Sequence, residues 1–475
     1  MNLITLSAMR HELVLLGLIL ILLVGETLFA PAMRKRWSQW AIGLFTVHTA
    51  IGFLPLASSE LFGGMFVTND LTHFFKSVLN LGVLIVLLQT SNWVQSQYAE
   101  EKRGGEFYIL LFSSLLGLFY MISAGELTMF YLGLELSTLP VAVLVAYDLQ
   151  KRAANEGAIK LILSAALASG TALFGMSLIY AATGSLHFDG IQAALGSNAL
   201  TILGTILFLA GLAFKISLVP FHFWTADVYE GAPIGIAAFL SVISKGSAAF
   251  VLTVLLFQVF ASMSAITEPL LITLALTTMF IGNLFALRQK NIKRFLAFSS
   301  VAQAGFILLG MLDQSALGAA TVVYFVAIYV FSNLAAFGVA QAISERYDAE
   351  DMSSYEGLYR TNPKLSLVMM LALFSLAGIP PVAGFFAKFF LFTAAASQGH
   401  YLLVFLAVVN VTISLYYYLL WVRAIFLRKN ENALPHFNSS WSMRLGLILP
   451  VIGILVLGVY SPFFEYILEL TAIFN

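Results

Sequence analysis

The sequence predicts an all-α, polytopic membrane protein of about fourteen transmembrane helices, and three observations predict it. Apolar runs able to cross roughly 30 Å of hydrocarbon recur from one end of the chain to the other. Of the 475 residues, 60% are hydrophobic and only 10% are charged, where an ordinary soluble domain has roughly 25% charged residues. The mean hydropathy is +0.92, and no low-complexity linker separates the runs. The chain therefore reads as one integral membrane domain over residues 1–475.

Composition also excludes whole classes of function. Lys+Arg and Asp+Glu balance at 24 each, so nothing electrostatic favours a nucleic-acid partner or an acidic substrate. The chain has no cysteine, which removes disulfides, iron–sulfur clusters and thiolate metal sites. Any redox chemistry would have to sit on other chains.

Taken in order, the spans start near residues 12, 39, 71, 106, 126, 157, 199, 234, 266, 292, 315, 364, 400 and 443. The first is followed by "LFAPA", a small-residue stretch of the kind found at signal cleavage sites, but the run is long for a signal and is read as a retained span. The third carries Lys76 and the sixth Lys160, each a few residues from an end, where a long side chain can snorkel to the headgroups. The fifth, "YLGLELSTLPVAV", places Glu135 mid-span with Pro140 five residues on. The seventh, "GLAFKISLVPFHFWTADVYEGAP", repeats that spacing with Lys215 and Pro220. Proline cannot donate to the carbonyl four residues back, so Leu136 and Ile216 are each expected to carry a free acceptor beside a charge. The eighth holds Lys245 between small residues in "FLSVISKGSAAF", which permits a polar pocket. In the twelfth, "SLAGIPPVAGFFAKFF", Pro380 and Pro381 interrupt the run and Lys388 follows within two turns. Proline kinks are often tolerated in membrane helices, yet a charge stands beside all three of these expected breaks.

Basic residues orient the chain. With the N-terminus outside, Arg34, Lys35, Arg36, Lys102, Arg103, Lys151, Arg152, Arg288, Lys290, Lys293, Arg294, Arg428 and Lys429, with others, fall inside, and only Arg10 falls outside. This is the asymmetry of the positive-inside rule, and it places both termini, including Asn475, on the outer side.

Lys76, Lys160, Lys215, Lys245 and Lys388 remain within apolar spans. Each charge at a helix centre costs about 2.5–3.5 kcal/mol to insert, which makes it a functional candidate. Were Glu135 and Lys215 to lie about 4 Å apart, their attraction would be worth about 4 kcal/mol at an effective dielectric near 20. That exceeds the roughly 2.3 kcal/mol needed to drive one charge against about 100 mV. By position along its span, however, Lys215 lies several residues deeper than Glu135. His222, Asp227, Tyr229 and Glu230 follow the Pro220 break and could form an uptake path toward Lys215; equally, Trp224 and Tyr229 suit an interfacial aromatic belt. Interruptions in the seventh and twelfth spans, five helices apart, point to an inverted repeat with ion sites near the midplane.

The blocks "GLELSTLPVAVLVAYD", "FKISLVPFHFWTADVYEGAP", "LSVISKGSA", "QKNIKRFLAFSSVAQAGFILLG" and "LAGIPPVAGFFAKFFLF" resemble, in one order and over nearly the whole chain, the antiporter-like proton-translocating membrane subunits of respiratory complex I. Lys388 stands where the M-type member typically has glutamate, and the long lateral C-terminal helix of the L-type member is absent. The resemblance implies two inverted five-helix repeats, about 106–261 and 266–428, flanked by 1–105 and 443–475. It implies Glu135 as partner carboxylate, Lys215 as central proton carrier, Lys245 as connecting relay and Lys388 as the carrier nearer the outer exit. It also implies a bacterial plasma membrane location and partnership with other complex I subunits, some themselves antiporter-like. NADH, FMN, iron–sulfur clusters and quinone would be handled by those partners, with no cofactor in this chain. Two other readings share these features: an Mrp-type sodium/proton antiporter or membrane-bound hydrogenase subunit, and a non-transporting scaffold locked by buried charges. A scaffold has no need of charges placed beside helix breaks.

Overall fold

The computed structural model describes residues 7–28, 36–55, 58–98, 103–430 and 433–474. Arg34, Lys35, Lys102 and Asn475, used above for orientation, and the "LFAPA" stretch beyond Leu28 lie outside the described residues.

The chain is helical almost throughout. Helices α1 (Arg10–Leu28), α2 (Trp37–Gly52), α3 (Asp70–Tyr98), α4 (Gly104–Ile122), α5 (Leu127–Val145) and α6 (Arg152–Thr183) come first. The short α7 (Phe188–Ala194) then leads into α8 (Ala199–Ile216), α9 (Phe223–Gly231) and α10 (Ile234–Val259). The rest are α11 (Ser264–Ala286), α12 (Ile292–Gly310), α13 (Ala316–Tyr347), α14 (Pro363–Ala377), α15 (Ala383–Ser397), α16 (Tyr401–Phe426), α17 (Trp441–Val456) and α18 (Pro462–Leu470). Eleven helices among the described residues are long and apolar enough to cross a membrane. Adding α2, α17 and the α14–α15 pair gives the expected fourteen crossings, each starting within about five residues of its expected position.

Between α2 and α3 lies a small antiparallel hairpin, β1 (Ser59–Leu61) with β2 (Phe66–Thr68), in which Glu60 pairs with Val67. The all-α reading does not anticipate it. Gly63 and Gly64 make its turn with positive φ (68° and 91°), a conformation that glycine reaches without a Cβ clash.

Helix α13 organises the core. Its membrane window is wholly buried, which suits a helix apolar on every side, and α3, α10, α14, α15 and α17 pack around it. Elsewhere small residues allow backbones to meet. A Cβ on Gly117 of α4 would lie 2.4 Å from the Ser137 nitrogen of α5, and one on Gly282 of α11 would lie 2.6 Å from the Ala302 nitrogen of α12. Small residues at such crossings are how membrane helices gain close van der Waals contact.

Two of the three expected breaks form. Helix α8 stops at Ile216, Ser217 takes a left-handed backbone (φ 66°), and the helix resumes as α9 only at Phe223. Helix α14 stops at Ala377, capped by Gly378 (φ 84°), and resumes beyond Pro380 and Pro381 as α15. At Pro140 the expectation fails, because α5 runs unbroken from Leu127 to Val145. One lost hydrogen bond is a small part of a helix held along its length. The Ser114 hydroxyl of α4 donates to the Ser137 carbonyl (2.7 Å), which ties the helix to α4 at this level.

Candidate functional site

Lys215, Lys245 and Lys388 are each buried within the helix packing, at 6%, 3% and 4% exposure. Water does not solvate these ammonium groups at the surface, so the protein has to supply their hydrogen bonds.

Lys215 sits on the last turn of α8, just before the break. Its Nζ donates to Ser137 Oγ and Thr138 Oγ1 of α5, both at 2.7 Å. Glu135, one turn away on the same helix and only partly buried, acts on the ammonium through its charge. No ion pair joins the two among the described residues. The sequence thus brings Lys215 to the correct helix, but the hydroxyls rather than the carboxylate receive it.

Lys245 lies at the end of a π-helical turn, Leu240–Ser244, inside α10. Such a turn widens the helix locally and is common at functional positions. Nζ donates to Ser300 Oγ of α12 (2.7 Å) and sits 5.5 Å from the centre of the Tyr229 ring. Ser241 and Tyr329 share a hydrogen bond (3.1 Å), and Asn333 donates to both at 2.7 and 2.6 Å.

One face of α12 continues the polar run. Ser299 is hydrogen-bonded to Tyr418 (2.5 Å). Gln303 Nε2 donates to the Tyr418 hydroxyl (3.2 Å) and to the Leu376 carbonyl (2.9 Å). That carbonyl also accepts from Lys388 Nζ (2.8 Å), which donates in addition to the Ala377 carbonyl at 3.2 Å and stands 4.8 Å from the centre of the Phe306 ring. The carbonyls left open by the α14–α15 break are therefore taken by the lysine itself. Ser300, which holds Lys245, and Ser299 and Gln303, which lead to Lys388, fall at i+1, i and i+4 along α12, so the two sets of contacts lie side by side on one strip of that helix.

The four residues after the Pro220 break divide. Tyr229 turns inward, fully buried against Lys245. His222 is buried too, feels the Lys245 charge, and leaves Nδ1 without a partner among the described residues. Asp227 and Glu230 instead face Arg294 of α12, at 2.8 and 2.5 Å. Lys160 joins that cluster, pairing with Asp227 (2.5 Å) and Glu156 (2.7 Å) while 42% exposed, so it belongs to a half-solvated charge cluster rather than to the buried row.

Lys76 departs from the snorkelling expectation. It is 1% exposed and paired with Glu12 of α1 at 2.5 Å, with Ser123 Oγ also at 2.5 Å. Phe66 of β2 and Phe119 of α4 lie 5.1 and 5.8 Å from its Nζ. The hairpin and the turn after α4 close over this helix end and leave no route to the headgroups.

Fourteen crossings, two broken helices and a buried lysine beside each break define a membrane domain of the ion-translocating antiporter type. Residues 124–414 match the family described as "NADH:quinone oxidoreductase/Mrp antiporter, TM". The chain is 46% identical over 457 residues to NADH-quinone oxidoreductase subunit N of Phocaeicola vulgatus, covering 96% of each. It is 38% identical over 482 residues to the protein of the same name from Desulfitobacterium hafniense, covering 95% of this chain and 96% of that one. Among solved structures, a chain of respiratory complex I from Thermus thermophilus superposes with a TM-score of 0.80 at 30% identity, covering 97% of this chain and 99% of that one. A chain of the Mrp complex from Dietzia shares the fold, with a TM-score of 0.86 at 22% identity over 99% and 97%. The chain belongs to the NADH-quinone oxidoreductase subunit N family.

Proposed function

We propose that this chain moves protons across the membrane as one subunit of an NADH-quinone oxidoreductase, with Lys215, Lys245 and Lys388 as successive proton carriers and Glu135 as the carboxylate whose charge supports Lys215. Electron transfer from NADH to quinone, with its FMN and iron–sulfur clusters, takes place on partner subunits, and other antiporter-like subunits lie alongside. The observation that carries the reading is the polar strip of α12 between the two lysines: Lys245 donates to Ser300, and the neighbouring Ser299 and Gln303 both bond Tyr418, Gln303 reaching the carbonyl bound by Lys388. A scaffold requires buried charges to be satisfied, but not set along one polar strip.

The residues after the Pro220 break serve as the uptake side: Asp227 and Glu230 with Lys160 at the half-solvated end, His222 and Tyr229 deeper. The two halves, about 106–261 and 266–428, form the inverted repeats. This is supported by the matching close approaches of α4 with α5 and α11 with α12, and by a hydroxyl pair on the second helix of each half, Ser137–Thr138 and Ser299–Ser300. The membrane is the bacterial plasma membrane, with Lys290 and Arg294 toward the cytoplasm and both termini outward, as the basic residues require.

The test uses assembled complex in proteoliposomes. Lys388→Met fills similar volume without a charge; Lys388→Arg keeps a charge that does not cycle. Both are expected to assemble, and both are expected to lose most of the pumping followed by dye quench. Wild-type pumping by Lys388→Met would remove Lys388 from the path. Copurification with flavin and iron–sulfur proteins separates this reading from a free-standing Mrp-type antiporter.

A further inference from the structure

A second buried cluster of protonatable groups lies in α1–α4, apart from the lysine row. On α1 it holds Arg10, His11 and Glu12; on α2, His48; on α3, Asp70, His73, Lys76 and Asn80; on α4, Tyr120, with Ser123 just beyond that helix. His11, Glu12, His48, Lys76 and Asn80 are all at most 2% exposed. Phe75, beside Lys76 on α3, stacks on Phe250 of α10, the helix that bears Lys245 (ring centres 4.3 Å apart).

The contacts line up. Asn80 Nδ2 is 3.3 Å from His11 Nδ1, and His11 Nε2 is 2.9 Å from His73 Nδ1. His73 Nε2 is 2.9 Å from both the Leu54 carbonyl and Arg10 Nη2, at the exposed Leu54–Pro55 turn. Each imidazole uses both ring nitrogens in one line. Two tautomer sets satisfy that line. In one, His11 Nε2–H donates to His73 Nδ1 and His73 Nε2–H donates to the Leu54 carbonyl. In the other, Arg10 donates to a bare His73 Nε2, His73 Nδ1–H donates to His11 Nε2, and His11 Nδ1–H points at Asn80 with its amide turned. A surface partner is present for either state. These sets are the wire before and after one proton has passed along it.

At the inner end, Glu12 Oε2 has no partner among the described residues although it is buried. His48 faces Asn80, and neither of its ring nitrogens meets a partner in hydrogen-bonding geometry. Orphaned polar atoms grouped in this way call for water.

We propose that the Glu12–Lys76 pair and His11, His48 and His73 form a second proton-binding site, with its own imidazole wire to the face that carries Arg10. As a proton reaches His11 Nδ1, His11 passes its Nε2 proton to His73 Nδ1 in the same step, so that neither buried ring holds a lasting charge beside Arg10 and Lys76. His73 then releases its own Nε2 proton to water at the Leu54–Pro55 turn, and ring reorientation resets the wire.

The proposal rests on the reading that the chain translocates protons, and Lys388→Met in the same vesicles reports on that reading separately. His11→Gln and His73→Gln keep hydrogen-bonding ability but cannot carry a proton, and are expected to lower the protons pumped per NADH oxidised severalfold in fully assembled complex. With His73→Ala, a membrane-impermeant imidazole such as carnosine, added to the compartment bathing Arg10, is expected to restore the ratio, and the same compound on the opposite side is not. A purely structural histidine would show no such sidedness. Glu12→Gln with Lys76→Met removes both charges at nearly constant volume, a replacement buried pairs often tolerate, and it too is expected to assemble and lose pumping. Wild-type ratios in His73→Gln, or a loss in His73→Ala that imidazole on the Arg10 face does not restore, would overturn the proposal.

Discussion

At the scale of single residues, burial alone does not separate the lysines; their partners do. Lys76 has a carboxylate, Lys160 two carboxylates and half its side chain in solvent, whereas Lys215, Lys245 and Lys388 have only hydroxyls and carbonyls. A lysine held by neutral groups can give up its proton without leaving an uncompensated buried anion. Removing one member of the Glu12–Lys76 pair does leave such a charge, so Lys76→Met alone is expected to destabilise the subunit by about 3–5 kcal/mol, read as lost assembled complex on a native gel, and Glu12→Gln in the same chain is expected to recover it. Ser137→Ala with Thr138→Val strips the Lys215 ammonium of hydrogen bonds worth about 1.5–3 kcal/mol each. Pumping is expected to fall as far as in Lys215→Ala, with assembly retained. Wild-type pumping in that double variant would show that the hydroxyls are packing groups.

The elements were largely legible in the sequence, for a physical reason. Hydrocarbon thickness sets the length of a span, and glycine and proline mark where it stops. Helix starts and both true breaks follow from that. What the sequence did not show was decided by tertiary contact: α5 continues unbroken through Pro140 with α4 bonded against it, and Lys76 cannot snorkel because the hairpin closes over it. The polar partners Ser299, Ser300, Gln303 and Tyr418 were equally hidden. Serines and a glutamine at i, i+1 and i+4 are visible in "FSSVAQ", but only the fold says that Lys245 and Leu376 meet them. Packing at this scale is testable. Gly117→Val places a branched side chain where a Cβ would already lie 2.4 Å from backbone, and overpacking of this kind costs about 1–3 kcal/mol or more. Loss of assembled complex is expected. Gly43→Ala, with nothing within 4 Å of the added carbon, is expected to behave as wild type.

Over the whole molecule, orientation is the property that sequence and fold address by different routes. The basic residues argue for it, and the crossings must number an even fourteen for both termini to share a side. Because the chain has no cysteine, exposed positions can be labelled one at a time. Lys290→Cys and Ser461→Cys, both exposed, are expected to differ: an impermeant maleimide in intact cells should reach position 461 and not position 290. The reverse pattern would invert the topology, and with it the assignment of Asp227 and Glu230 to the uptake side.

The bonds from Lys388 to the Leu376 and Ala377 carbonyls span the gap between α14 and α15. A charged donor makes hydrogen bonds roughly twice as strong as a neutral one, so the ammonium clasps two half-helices together more firmly than the amine would. If Lys388 carries protons as proposed, their arrival and departure would alter the stiffness of the joint as well as the charge. On the proposed carrier role of Lys388, the twelfth span would act as a hinge that tightens when loaded and slackens when emptied, with Gly378 and the paired prolines placed where that slack would be taken up.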